Sequence, residues 1–429
     1  MILVWMSLLI ELLVFYIFKP FIENEEFFAV LILLINIPFV LYMIGKYHGK
    51  FFLILFPAFF IRLLFMFVDI YGKNYITLPH SGGDSEGFLA SGIKISQDLS
   101  LMSEEIYGGL YSKILGLIFY LGPADRIIGQ YINVLLGITT IVIVWKIFTN
   151  LEINDKLKLF SIFIMAVFPS AIIFSSILLR EALITFFVVW SFYIFIKWYK
   201  SSRLFYFILS VIILLIGATF HSGVIGILIG YIFMLVFYNH NSNKLNFSIK
   251  SSVVFLVFTS FIIVMNSVPL ENIPFLSKIT QYMDEIDDLY DVASGGGGGG
   301  SSYLTNLSIN NPVELLLVSP IKIVYFLFSP LPWTWRGFSD ILSFFSDSLI
   351  YFIISYSLIL NFKKNNKKDP LTIGIIIMLI TTLLIFGIGI SNAGTAMRHR
   401  YKIFYIFMIL FIIIKKTMNS KDKLYKKIK

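Results

Sequence analysis

Five short stretches of this chain gather side chains able to do acid–base or anion chemistry within an otherwise apolar sequence. The first is His80-Ser-Gly-Gly-Asp-Ser-Glu86. Its glycines let the backbone turn sharply and approach a ligand. Asp84 and Glu86 supply two carboxylates that could take a proton or hold a divalent cation. The same residues also read as a helix start, with Asp84 or Ser85 as N-cap. The sharpest basic group is Arg398-His399-Arg400. Guanidinium donors match phosphate oxygens in parallel pairs. Adjacent residues on a helix diverge, so the three cannot all face one pocket, and Arg398 shares a face with Tyr401 or Lys402. The plain alternative is anchoring at a membrane interface by snorkelling. Arg180 and Glu181 either meet a ligand or neutralise each other at a hairpin tip. His221 is either hydrogen-bonded structure or a group that titrates near neutral pH. In Pro330-Leu-Pro-Trp-Thr-Trp-Arg336, Trp333 and Trp335 could stack on a sugar ring or sit in an interfacial aromatic belt, and Arg336 adds a cation.

The elements that must position these residues are membrane spans. The 429 residues are 58% hydrophobic and 14% charged, with 45 phenylalanines and a mean hydropathy of +0.86. Soluble domains carry about 25% charged residues, so the composition excludes an ordinary soluble domain. There is no cysteine, which removes disulfides, thiol nucleophiles and thiolate metal sites. The formal net charge of +9 could point to nucleic acid, but the basic residues cluster at the ends of apolar runs. That placement reports membrane orientation, and no nucleic-acid partner is expected. The lack of an H-E-x-x-H motif argues against a zincin-type protease.

A spanning helix needs roughly 20 mostly apolar residues. Twelve runs qualify or nearly so: Ile2–Phe18, Phe27–Gly45, Phe51–Val68, Ile127–Phe148, Leu159–Leu178, Ala182–Ile196, Leu204–Thr219, Val224–Tyr238, Val253–Met265, Ile341–Leu360, Leu371–Ile390 and Tyr401–Ile414. The first has no basic leader and no small-x-small cleavage site, so it reads as a retained span. Glu11 within it is expected to face the bundle and share a hydrogen bond. Arg62, deep in the third run, costs about 2.5–3.5 kcal/mol at a helix centre on insertion scales and must find partners. The expected fold is all-α: residues 1–429 as one polytopic transmembrane bundle of about twelve spans.

Lysine and arginine in short loops fix the sides. Lys363, Lys364, Lys367 and Lys368 form one cluster; Lys415, Lys416 and the lysine-rich tail form another. Lys244 with Lys250, then Lys197, Lys200 and Arg203, then Lys156 with Lys158, then Lys46 with Lys50, all fall on the same side. That side is the cytoplasm, and both termini lie there. Two long outer segments result, residues 69–126 and 266–340. Each holds an apolar stretch, Gly108–Leu121 or Val313–Trp333, that reads as re-entrant or interfacial, because counting either as a crossing would reverse every later loop. Pro320, Pro330 and Pro332 argue against a straight helix in the second. An acidic run (Asp284, Glu285, Asp287, Asp288, Asp291) and six glycines, Gly295–Gly300, lie before it. The glycines lack a Walker lysine and read as a flexible linker or lid. All five chemical stretches then fall on the outer side.

This layout resembles the bacterial membrane enzymes that process polyprenyl-linked sugars outside the cytoplasm, namely the C-type glycosyltransferase superfamily and the O-antigen polymerase and ligase group. The resemblance rests on Ser391-Asn-Ala-Gly-Thr-Ala-Met-Arg-His-Arg-Tyr401 and on Phe326-Leu-Phe-Ser-Pro-Leu-Pro-Trp333, with the architecture around them. It departs in two places. C-type enzymes carry their acidic residue in the first outer loop, which here offers Glu23, Glu25 and Glu26, whereas Asp84 follows the third span. The polymerase and ligase group carries arginines in the long loop between spans nine and ten, where this chain offers Arg336.

What the resemblance implies is sugar transfer from a polyprenyl-(pyro)phosphate carrier to a saccharide acceptor at the outer face of the bacterial cytoplasmic membrane. Such a catalyst needs no nucleotide sugar, and a divalent cation is a candidate cofactor. Asp84 would act as base, with Glu86 and His399 as further candidate catalytic groups. Arg398, Arg400, Arg180, His221 and Arg336 would hold the phosphate, and Trp333 and Trp335 the sugar. A transporter or flippase of the same lipids is the alternative; its ionisable residues should recur on both halves of the bundle. A purely structural membrane protein would leave the outer arginines and histidines without a purpose. Oligomeric state is not legible.

Overall fold

The computed structural model describes residues 1–47, 49–265, 300–304, 312–364 and 369–428. About 81% of it is helix. In chain order the helices are α1 (Ile2–Phe18), α2 (Glu25–Gly45), α3 (Phe52–Tyr71), α4 (Gly83–Gln97), α5 (Leu110–Leu121), α6 (Arg126–Asn150), α7 (Asp155–Val167), α8 (Pro169–Phe174) and α9 (Glu181–Ser201). There follow α10 (Leu204–Phe220), α11 (Gly226–Phe237), α12 (Ile249–Met265), α13 (Pro312–Phe328), α14 (Phe338–Ser343), α15 (Leu349–Lys364), α16 (Pro370–Ile388) and α17 (Ala393–Ile428). A two-residue antiparallel hairpin, Tyr238–Asn239 with Lys244–Leu245, is the one sheet among the described residues. The acidic run Asp284–Asp291, Gly295–Gly299, and Lys367 and Lys368 lie outside the described residues.

Among the described residues, seven helical stretches are long and apolar enough to cross a membrane: Ile2–Phe21, Glu25–Gly45, Gly49–Tyr71, Arg126–Asn150, Glu181–Ser201, Phe338–Leu360 and Pro370–Ile388. Four shorter apolar helices, Leu110–Leu121, Leu204–Phe220, Ser222–Phe237 and Leu317–Phe328, accompany them. The chain is therefore an all-α protein with membrane-spanning helices. Its N-terminal helices point many large apolar side chains outward, Ile2, Leu9, Phe27 and Leu53 among them, as lipid-facing helices do.

Three expectations change. The run Leu159–Leu178 is not one helix. It breaks at Phe168, because Pro169 has no N–H to continue the ladder, and leaves α7 and the six-residue α8. The helix at Gly82–Asp84 starts with Gly82 as N-cap, so Asp84 and Glu86 sit in its first turn instead of capping it. Pro320 lies inside α13 without ending it; the helix stops at Phe328, two residues before Pro330.

The chain forms two compact units. The first is Met1–Trp145 with Lys158–Phe186, and the second is Lys146–Leu157 with Phe187–Lys429. In the first, α4 and α5 pack as a close pair. A Cβ on Gly116 would lie 2.4 Å from Ile95, so only glycine allows that approach. In the second, α11 and α16 are the close pair. The Gly226-x-x-x-Gly230 spacing on α11 puts backbone against backbone, with a Cβ on Gly226 only 2.6 Å from the Thr382 Cα. The Thr381 hydroxyl donates to the Gly226 carbonyl across this contact, at 2.6 Å.

Candidate functional site

Asp84, Glu86 and Arg180 belong to the first unit; His221, Trp333, Trp335, Arg336 and Arg398–Arg400 belong to the second.

In the first unit the first turn of α4 meets the start of α6. Arg126 is the hub. Its Nη1 donates to Glu86 Oε1 at 2.7 Å, and its Nη2 donates to Ser85 Oγ at 2.7 Å and lies 3.3 Å from Asp69 Oδ2. Lys73 also pairs with Glu86. Burial alone would raise the Glu86 pKa, but hydrogen bonds from Arg126 and Lys73 outweigh it and hold the carboxyl below its ordinary value. Asp69, fully buried at the end of α3, accepts from Gln130 Nε2 at 2.6 Å. Asp84 accepts from the Tyr107 hydroxyl at 2.5 Å. Thus Asp84 and Glu86 share one turn but face different partners.

This arrangement does not suit the expected divalent cation. Glu86 is already held between two cations, and among the described residues no group of three His, Cys, Asp or Glu side chains could hold a metal. Asp69, Arg126, Lys73 and Gln130 escape sequence reasoning because they are scattered along the chain and only folding gathers them. One local signal is present. Gly83-Asp-Ser-Glu-Gly87 spells G-x-S-x-G, the nucleophile-elbow pattern. No strand precedes it, and its Ser85 hydroxyl is engaged by Arg126, so the elbow setting is missing.

Arg62 is also settled by neighbours in the first unit. Arg62, fully buried in α3, donates from Nε to Ser175 Oγ at 2.9 Å, and from Nη1 to the Ala58 and Ala166 carbonyls at 2.9 and 3.0 Å. Ala166 is in the last turn of α7, where the break before Pro169 leaves carbonyls short of N–H partners. Asn133 supports the non-helical stretch after α8 in the same way, donating to the Ile177 and Leu179 carbonyls at 2.8 and 2.9 Å. Arg180, half-buried, ends that stretch, and Glu181 is buried at the first position of α9.

In the second unit Arg400 takes a role other than the expected one. It is fully buried and meets Asp347 at 2.6 Å, while its Nη1 donates to the Phe326 and Leu327 carbonyls at 3.2 and 2.7 Å. The natural donor to the Phe326 carbonyl would be residue 330, a proline without an N–H. The guanidinium replaces it. Arg400 is thereby engaged at the end of α13. Arg336 is likewise committed, donating from Nε and Nη2 to both Asp340 oxygens at 3.1 and 3.2 Å. Trp335 donates its indole N–H to the Pro330 carbonyl at 3.1 Å and packs edge-on to Phe344. Trp333 is 71% exposed, its N–H on the Tyr325 hydroxyl at 3.1 Å, so its face is open for a sugar or a lipid interface.

Three basic residues do come together. His221 and His399 lie with ring centroids 4.3 Å apart, and Phe386 of α16 packs edge-on against both, at 5.4 and 5.2 Å. Lys402, one turn on from His399 and almost fully buried, brings Nζ to 3.3 Å from His399 Nδ1. His221 caps the turn into α11 by accepting the Gly223 N–H on Nδ1 at 3.2 Å. Both imidazoles and Arg398, the residue before His399, are half-buried. A second interior lysine, Lys322 of α13, donates to Ser391 Oγ at 3.0 Å. A lone lysine in an apolar run carries no pattern, so Lys322 has no signature in the sequence. No protein-family model, curated protein or solved structure matches the chain.

Proposed function

We propose that this chain is an integral membrane glycosyltransferase or polysaccharide polymerase, transferring sugar from a polyprenyl-(pyro)phosphate carrier to a saccharide acceptor at the outer face of the bacterial cytoplasmic membrane. The finer topology belongs to the same reading: about twelve crossings, with both termini cytoplasmic and the lysine-rich connectors inside.

The observation that carries it is the His221–His399–Lys402 group. Two histidines and a lysine gathered at one point of an apolar unit are a costly arrangement in a membrane, and an anionic headgroup is the ligand that would repay it. Departure of a carrier phosphate builds negative charge, which such donors stabilise where little water competes. The acceptor hydroxyl must lose a proton, and on the resemblance alone Asp84, which in the first unit accepts from the Tyr107 hydroxyl, is the carboxylate that would take it. A transporter would draw on interior cations such as Arg62 and Arg180 along an anionic path, and the engagement of Arg62 with helix carbonyls supports the enzyme reading over it.

The test uses purified protein and lipid-linked oligosaccharide, comparing wild type with Asp84→Asn and His399→Gln. Loss of transfer in both supports the reading. Full transfer in both variants removes the site, and movement of lipid across proteoliposomes with no covalent product replaces transfer with transport.

A further inference from the structure

The turn between α11 and α12 holds four asparagines of two kinds. Asn239 and Asn243 build the turn. The Asn239 side chain accepts the backbone N–H groups of Asn241 and Ser242 at 2.9 and 3.1 Å. Asn243 takes a positive φ of 50°, which asparagine tolerates, and accepts from the Tyr238 hydroxyl at 2.8 Å. Asn241 and Asn246 do neither. They are exposed, and their side-chain amides bond to nothing among the described residues. Both line a surface cavity of about 450 Å³, together with Asn239, His240, Ser248 and Ser251. That volume is in the range of small-ligand sites, about 300–1,000 Å³. No carboxylate lines it. The His240 ring stands edge-on to Trp198 of α9 at 5.0 Å, which ties the hairpin to that helix.

The rim adds charge and apolar surface. Lys244 pairs with Asn239 across the hairpin, and Lys250 is in the first turn of α12. Both are exposed, and neither has an ion-pair partner among the described residues. Phe247 and Ile249, which lie between them in sequence, are 67% and 85% exposed. An apolar membrane helix that ends in a polar hairpin brings that hairpin to the depth of lipid headgroups. At that depth two unpaired cations, two unpaired amides and two outward apolar side chains match the parts of one ligand, namely phosphate, headgroup hydroxyls and acyl chain.

We propose that this cavity binds the headgroup of an anionic phospholipid that carries free hydroxyls, phosphatidylglycerol being the simplest such lipid. Lys244 and Lys250 pair with the phosphate, the Asn241 and Asn246 amides hydrogen-bond the hydroxyls, and Phe247 and Ile249 lie along the acyl chains. His221 precedes the first turn of α11, whereas the cavity follows its last, so the two sites are separate. The proposal stands independently of sugar transfer and of which membrane face is cytoplasmic. It needs only that the chain be embedded in lipid.

The test mixes full-length protein in detergent with equal amounts of phosphatidylglycerol and phosphatidylcholine and reads the retained lipid by native mass spectrometry. One phosphatidylglycerol is expected to be kept in preference to phosphatidylcholine by about tenfold. Lys244→Gln combined with Lys250→Gln, and separately Asn241→Ala combined with Asn246→Ala, are each expected to erase most of that preference. These four side chains are exposed and hold no other group, so an unchanged thermal midpoint in phosphatidylcholine reports intact folding of both variants. The asparagine pair is expected to matter for phosphatidylglycerol and not for phosphatidic acid, which has no headgroup hydroxyl. Equal retention of the two lipids by the wild type overturns the proposal, as does a preference that survives loss of both lysines. An asparagine pair without effect leaves a charged interface and no headgroup site, and overturns it too. Glycerol phosphate that displaces the lipid at matched concentration identifies a site for a soluble phosphate ester, and the lipid assignment falls.

Discussion

Arg400 and Asp347 meet at 2.6 Å with neither side chain open to the surface, and the same guanidinium holds the Phe326 and Leu327 carbonyls in the last turn of α13. Removing one member leaves the other charged and buried. Arg400→Met is expected to cost about 3–5 kcal/mol, whereas Arg400→Met combined with Asp347→Leu should recover part of that loss. Unfolding midpoints of the detergent-solubilised variants measure both. A single variant as stable as the wild type would show that the pair does not hold this corner.

Arg62 provides a parallel case in the first unit. Arg62→Met removes donors from the Ala166 carbonyl and from Ser175, and each stranded buried group costs about 1–3 kcal/mol. We expect a lower thermal midpoint and faster proteolysis in the segment between α7 and α9. Cleavage sites mapped by mass spectrometry check the location.

Glu86 sets a pH dependence. Its carboxyl titrates below its ordinary value of 4.5 in the folded protein, so its ion pairs contribute stability above that pH. That contribution is lost as pH falls through the lower, folded value. The side chain is 48% exposed, so solvent screens the pairs and the effect is modest. The fall in thermal midpoint from pH 5 to pH 3, both chosen for the assay at about the bounds of a carboxylate titration, should be smaller in Glu86→Gln than in the wild type.

Activity should separate committed from available residues. Arg336→Ala breaks a local pair with Asp340, so transfer is expected to stay within about threefold of wild type, whereas Asp84→Asn should lose about 10²–10⁴-fold if it is the base. Rates with lipid-linked donor decide. Equal losses in both would place Arg336 back among the ligand contacts.

Gly226→Leu adds a side chain where even a Cβ would lie 2.6 Å from the Thr382 backbone, so α11 and α16 must separate. Cysteine crosslinking between these helices, easy in a chain with no native cysteine, is expected to weaken in this variant.

What the sequence made legible follows from periodicity and charge. Apolar runs of about 20 residues announce helices wherever they occur, so α2, α3, α6 and α16 could be placed before any coordinates. Pro169 was visible too, yet its effect was not, since a proline can be carried within a helix, as Pro320 is, or end one. The candidate site was half legible. His221 and His399 stood out by type, but their adjacency depends on Phe386, which belongs to a different helix from either. The role of Arg400 was hidden for a related reason. Its sequence neighbours suggest an anion site, whereas the Phe326 and Leu327 carbonyls that it holds lie 74 and 73 residues upstream. Long-range partners of a charged residue leave no trace in its own neighbourhood.

The Arg62 contacts bear on how the chain is made. The Ala166 carbonyl lies 104 residues downstream of the guanidinium that donates to it. During synthesis α3 leaves the ribosome first, so its arginine enters the insertion machinery well before α7 exists to meet it. Until then water or the insertion channel must solvate the charge, because bare hydrocarbon would not. Biogenesis of the N-terminal helices is therefore expected to finish late, when the broken helix arrives, and truncation before Ala166 should leave α3 dependent on its escort.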